Sequence, residues 1–127
     1  MVELIKFACV KFRIHKVIKC GFGLTRAELD VFLHLLENEK KTYTTNGLAK
    51  ETGLKLTTIQ KAVKKLNENG ILEKKQANLD NGGYVYKYSV KSFDEIRKIL
   101  KKLVKDWAAH ATERLDEKDL LKQIKTV

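Results

Sequence analysis

Cys9, His15, Cys20 and His34 are side chains of the types that bind a transition metal or act as nucleophile and base, so they are the first candidates for chemistry in this chain. Their spacing argues against it. On a continuous helix Cys9 and Cys20 share a face but stand ~16 Å apart along the axis, too far to hold one ion or close an intrachain disulfide. His15 projects from another side of the same segment, and His34 and His110 lie on amphipathic stretches without a carboxylate-and-nucleophile arrangement beside them. HExxH, GxSxG and phosphate-binding glycine loops are absent from the sequence. The expectation is a protein that is not an enzyme, with no metal and no cofactor. The two thiols read as core or interface residues, and a redox bridge between two copies stays open.

The lysines form a more coherent set. The chain carries 26 Lys+Arg against 16 Asp+Glu, a formal charge of +10 that repels itself in a compact fold unless an anion relieves it. Nucleic acid is the partner this implies. With 127 residues, 43% of them apolar, the chain is long enough for one domain with a hydrophobic core. Two cysteines cannot staple a fold, no secretory leader opens the chain, and the apolar runs break well short of the ~20 residues of a membrane helix. A soluble, cytoplasmic protein with no membrane partner is expected. Arginine occurs only at positions 13, 26, 97 and 114 and proline not at all, which suits a thermophile and an AT-rich genome equally.

Several elements must position these charges. Phe7, Val10, Ile14 and Val17 recur at helical spacing, which predicts a helix over residues 1–20, although Val10, Phe12 and Ile14 also alternate as a strand would. Thr25 and Glu28 have the spacing of a capping box, with Leu24 and Leu29 as a hydrophobic staple, opening a helix to about Glu37. Thr44 or Thr45 caps a short helix stopped by Gly53, and a second helix spans roughly Thr57 to Asn69 before Gly70. Two helices joined by a tight glycine turn make a helix-turn-helix. Ile71 to Gln76 and Tyr84 to Val90 read as strands around a loop rich in Asn and Gly, a wing. Ser92 and Glu95 suggest a second capping box before a helix carrying Ile96, Leu100, Leu103 and Trp107. That helix runs to Leu115 or on through Ile124, unless Asp116 caps a separate terminal one.

The segment from Leu24 to Tyr88 resembles the winged helix-turn-helix of archaeal and bacterial transcription regulators, the MarR and TrmB-like group in particular. GLTRAELDVFLHLLEN, LAKETGLKLTTIQKAVKKLNENGILEKK and NGGYVYKYSV carry the resemblance, over about half the chain. It implies a homodimer that reads double-stranded DNA, with the second helix in the major groove and the wing beside it. Such proteins often hold an effector, here unidentified. Lys55 stands where the group usually has a Ser or similar cap, so the recognition helix begins at Thr57 or is poorly capped.

On a helix turning ~100° per residue, Thr57, Lys61 and Lys64 share one side with Gln60 at its margin, while Ile59, Val63 and Leu66 lie opposite. The expected DNA contacts are Lys55, Thr57, Thr58, Gln60, Lys61, Lys64 and Lys65 on the helix, with Lys74, Lys75, Asn78, Asn81 and Tyr84 on the wing. Tyr86 and Tyr88 read as packed against the domain rather than stacked on bases. Phe7, Val10, Ile14, Val17, Leu100, Leu103, Trp107 and Ala111 are the expected dimer face.

The overall expectation is a mainly α fold with a small β-hairpin wing: an N-terminal dimer-contact helix over residues 1–20, a winged helix-turn-helix DNA-binding domain over 21–91 and a C-terminal dimerisation segment over 92–127. Two other readings remain: a winged-helix protein-interaction module of a transcription or replication assembly, and a nonspecific DNA-coating protein.

Overall fold

The computed structural model describes residues 4–7 and 10–125, with side chains from Arg13 onward. Strands β1 (Leu4–Phe7) and β2 (Val10–Arg13) pair antiparallel, Leu4 opposite Arg13 and Phe7 opposite Val10, and lead into helix α1 (Ile14–Phe22). This corrects the single helix expected over residues 1–20. The spacing of Phe7 and Val10 suits a hairpin as well as a helix, and the alternation and β-branching around Val10 favour the strand. Gly23, at φ 66°, ends α1 by returning its N–H to the carbonyls of Cys20 and Lys19.

Helix α2 (Arg26–Glu37) opens on a complete capping box: the Thr25 hydroxyl accepts from the Glu28 N–H at 3.2 Å, and Glu28 Oε1 accepts from the Thr25 N–H at 2.9 Å. Leu24 and Leu29 are both buried, as a staple requires. Helix α3 (Thr45–Thr52) is capped by Thr44, whose hydroxyl accepts from the Gly47 N–H, and ends at Gly53 in the left-handed region. Helix α4 (Leu56–Glu68) begins one residue before the expected Thr57, behind Lys55, which supplies no side-chain cap.

Strands β3 (Leu72–Asn78) and β4 (Tyr84–Val90) form the wing, with Leu72 opposite Val90, Lys74 opposite Tyr88 and Asn78 opposite Tyr84. Gly82 and Gly83, both at positive φ, close its tip. At its base Tyr43 exchanges two backbone hydrogen bonds with Tyr88, of 2.8 and 2.7 Å, so the residue before the α3 cap adds a one-residue third strand.

Helix α5 (Phe93–Leu115) is half-boxed: Ser92 accepts from the Glu95 N–H, and no return bond from the Glu95 side chain accompanies it. Asp116 ends this helix rather than starting the next, and α6 (Leu120–Lys125) is separate.

One core holds these elements together. Phe32, Leu35, Leu48, Ile59, Leu66 and Ile71 are its largest fully buried side chains, drawn from α2, α3, α4 and the approach to β3, and Leu72, Val90 and Ile96 seat the wing and α5 on them. The result is mainly helical with two antiparallel hairpins, the second of them the wing of a winged helix-turn-helix.

Because the first N–H groups of α4 lack a side-chain cap, Lys55→Ser is expected to stabilise the domain by about 1 kcal/mol. A thermal melt of the variant that does not rise would show that those groups are already satisfied.

Candidate nucleic-acid interface

The exposed side of α4 follows from its buried one. Ile59, Ala62, Val63 and Leu66 are buried, which leaves Thr57, Gln60, Lys61, Lys64 and Asn67 exposed, with Lys55 exposed at the start of the helix and Thr58 half-buried. Lys65 departs from this row. A Cβ placed on Gly23 would meet its Cε and Nζ at 3.8 Å, so Lys65 lies over the turn between α1 and α2.

The wing's register sorts its residues by face. Lys74, Gln76, Asn78, Tyr84, Tyr86 and Tyr88 share one face, whereas Lys75 lies on the other, directly opposite Lys87. Two ammonium groups facing across a ladder repel each other, which an anion would relieve. Asn78 and Tyr84 pair beside the tip, and Asn81 is exposed within it.

A half-open groove of about 400 Å³ runs between the start of α3, the flank of α4 and the wing. It brings together Gln60, Lys64 and Lys74 from the expected set, and adds Thr44, Thr45, Asn46, Asn67 and Tyr86. Tyr86 is not packed away as expected: it is 38% exposed, with Lys74 Nζ 4.0 Å from its ring centroid and the Tyr84 ring at 5.4 Å in an edge-on arrangement. Its period-two spacing with Tyr84 and Tyr88 placed all three on one face. Only the strand register shows that Lys74 and Gln76 share that face, and only the fold shows that α4 stands across from it. Tyr88 is half-buried against the core, as expected.

His34 Nε2 lies 2.8 Å from Glu51 Oε2 and ties α2 to α3. His34, expected to be structural, is used structurally. The Glu51 carboxyl is held below its usual range chiefly by this hydrogen bond, then by the approach of the Tyr43 hydroxyl, with the positive charges of His34 and Lys41 contributing less. Burial, reinforced by the Glu51 carboxylate, raises the Tyr43 hydroxyl. That hydroxyl is buried without a partner at hydrogen-bonding distance, so Glu51 acts on it through a longer contact.

Of the expected dimer-face residues, Ile14 is exposed and Val17 half-buried on α1, and the side chains of Phe7 and Val10 lie outside the described ones. Leu100 and Leu103 are partly buried against the chain's own core. Farther along α5, Trp107 is 71% exposed and Ala111 half-buried. Cys20 is exposed and free, Cys9 lies outside the described residues, and among the described residues no cluster of three or more His, Cys, Asp or Glu could hold a metal. No helix among them is long and apolar enough to cross a membrane.

Fold and exposed face together define a winged helix-turn-helix protein. Within that class the chain belongs to the family of the DnaD N-terminal domain, whose model matches residues 12–114. The resemblance seen in the sequence therefore holds at the level of the winged helix-turn-helix, while the matched family is neither MarR nor TrmB. A solved structure from Methanosarcina mazei, described as a possible transcriptional regulator, is 41% identical and superposes with a TM-score of 0.84, over 91% of this chain and 97% of that one. A Sulfolobus tokodaii protein of known crystal structure is 28% identical with a TM-score of 0.61, over 76% of this chain and 92% of that one. An uncharacterized Methanocaldococcus jannaschii protein is 29% identical over 94% of this chain and 92% of its own length.

Because the folded-state pKa of Glu51 lies below its ordinary 4.5, its contribution to stability is present above that value and is lost as pH falls beneath it. Glu51→Gln is therefore expected to unfold at lower urea concentration than the parent at neutral pH, with the gap closing on acidification below 4.5. A gap unchanged between the two conditions would show that the carboxylate's charge is not what ties α3 to α2.

Proposed function

We propose that this chain is a homodimeric transcription regulator that binds double-stranded DNA sequence-specifically, with α4 in the major groove and the wing on the backbone or in the minor groove. One observation carries the reading. None of the ion pairs among the described residues engages a lysine of α4 or the wing, so Lys61 and Lys64 on the exposed side of α4 and Lys74 on the wing face across from it stand with their charge uncompensated, with Lys75 equally unpaired on the wing's other face. Phosphates are the partner for such a row, and Thr57 and Gln60 beside it offer a hydroxyl and a carboxamide to base edges. The similarity to the Methanosarcina mazei protein supports the same reading.

Homodimerisation draws on the far half of α5, where Val104, Trp107 and Leu115 are exposed. Two copies joined there would set their recognition helices about one DNA turn, ~34 Å, apart and select an inverted repeat. A second reading, a protein-interaction module, draws on the same apolar stripe and on a family defined by one domain of a larger protein. A chain that stays monomeric in light scattering and ignores nucleic acid would favour it.

Selection on a random duplex library is expected to enrich an inverted repeat, whereas tight binding without an enriched motif would indicate a DNA-coating protein. Lys61→Ala and Lys64→Ala are each expected to weaken binding and to reduce the slope of log affinity against log salt by about one unit. Unchanged slopes would remove these lysines from the interface.

A further inference from the structure

Beside the lysines and Gln60 already assigned to the duplex, the groove between α4 and the wing carries an aromatic face that contact with a fully paired duplex does not use. Its walls combine the exposed ring of Tyr86, with the half-buried Tyr88 behind it, three carboxamides from Asn46, Gln60 and Asn67, and the ammonium groups of Lys64 and Lys74, with no Asp or Glu among the lining residues. None of those carboxamide side chains has a hydrogen-bond partner within the described part of the chain. The volume of about 400 Å³ falls within the range of small-molecule sites.

A ring on the wall of a groove can be used only by a ligand that offers a π face. A base inside a duplex hides both faces in the stack and shows only its edge, whereas an unstacked base offers a face to an aromatic side chain and its Watson–Crick edge to amides. Lys74 now rests over the Tyr86 ring. A phosphate is a stronger partner for an ammonium than an exposed ring is, so a nucleotide would draw Lys74 to its phosphate and leave the ring face to its base.

We propose that this groove holds one unpaired nucleotide of a DNA strand, its base stacked on Tyr86, its edge met by Asn46, Gln60 and Asn67, and its phosphate met by Lys64 and Lys74. The inference rests on the DNA-binding reading and adds to it a preference for duplex interrupted by an extrahelical base.

The test is fluorescence anisotropy of the full chain at fixed salt, with a fully paired duplex, the same duplex carrying one extrahelical base, and its counterpart with an abasic bulge. The extrahelical base is expected to strengthen binding about tenfold over both controls. Tyr86→Ala should abolish that gain, read as the ratio of the variant's own affinities for the extrahelical-base duplex and the paired duplex, so that any change in duplex binding cancels. Tyr86→Phe, which keeps the ring, should retain it.

Equal affinity for base and abasic bulges, or a gain that survives Tyr86→Ala, overturns the proposal even where salt-dependent duplex binding is intact. Tyr86-dependent binding of the extrahelical base without binding of the paired duplex would support the groove and refute the duplex-reading function. No binding to any of the three overturns both. A free nucleoside monophosphate that competes as well as the bulged strand would make the ligand a nucleotide rather than DNA, against the proposal.

Discussion

Ile59, Ala62 and Leu66 have no exposed surface, and a helix with three such side chains on one side has a single rotation available to it. Truncating a buried Ile or Leu to Ala costs roughly 2–5 kcal/mol, so the core holds α4 at that rotation more firmly than any surface charge could. Gln60, Lys61, Lys64 and Asn67 face outward because their neighbours cannot. The helix ends at Asn69 and Gly70, and the next two residues, Ile71 and Leu72, are buried in the same core, so the start of the wing is fixed by the packing that fixes the helix. The groove between them follows from two consecutive elements anchored to one set of apolar side chains.

The wing itself is anchored unevenly. At its base Leu72 and Val90 are buried and Tyr88 is bonded through its backbone to Tyr43, while at its tip Tyr84 is 54% exposed. A hairpin held at one end keeps its base in register with α3 and α4 and leaves its outer half to adapt to what it meets. The Tyr43 bridge joins this arrangement to the His34–Glu51 pair, because Tyr43 packs its ring against His34 while its backbone pairs with the wing. The orientation of α3 and the position of the wing base are therefore coupled through one residue.

Local chemistry accounts for what could be read from the sequence. Thr25 with Glu28, Thr44 before α3, Gly53 and the Gly82–Gly83 tip each act within a few residues of themselves, and each stands where spacing placed it. Legibility fell where two periods fitted the same residues. Val10 and Ile14 fit a helical step with Phe7 and Val17 and a strand alternation with Phe12, and only pairing with a second strand distinguishes the two. It fell again where partners are far apart in sequence: the Tyr43–Tyr88 bridge and the meeting of Asn46, Gln60 and Tyr86 around one groove depend on the tertiary fold. The individual lysines of α4 were legible because amphipathicity is local, but Lys65 was not separable from Lys61 and Lys64 until the α1–α2 turn was seen beneath it.

Helix α5 shows how an apolar stripe can outlast the core it begins in. Ile96 is buried and Leu100 and Leu103 are half-buried on the core, yet the same spacing continues to Trp107, which is 71% exposed. Nothing within the described chain covers Val104, Trp107 or Leu115, and exposed apolar area costs roughly 25 cal/mol per Å² relative to burial. A second copy is an occupant that this chain's charge would oppose if the lysines shared that face. They do not: at ~100° per residue, Lys98, Lys101, Lys102 and Lys105 centre on the side opposite Ile96, Leu103 and Trp107. Two copies meeting along the stripe would turn those lysines outward and apart, so a net charge of +10 on each chain does not oppose the contact at its centre. The same segregation that lets α5 join the core in its first half leaves its second half able to join another.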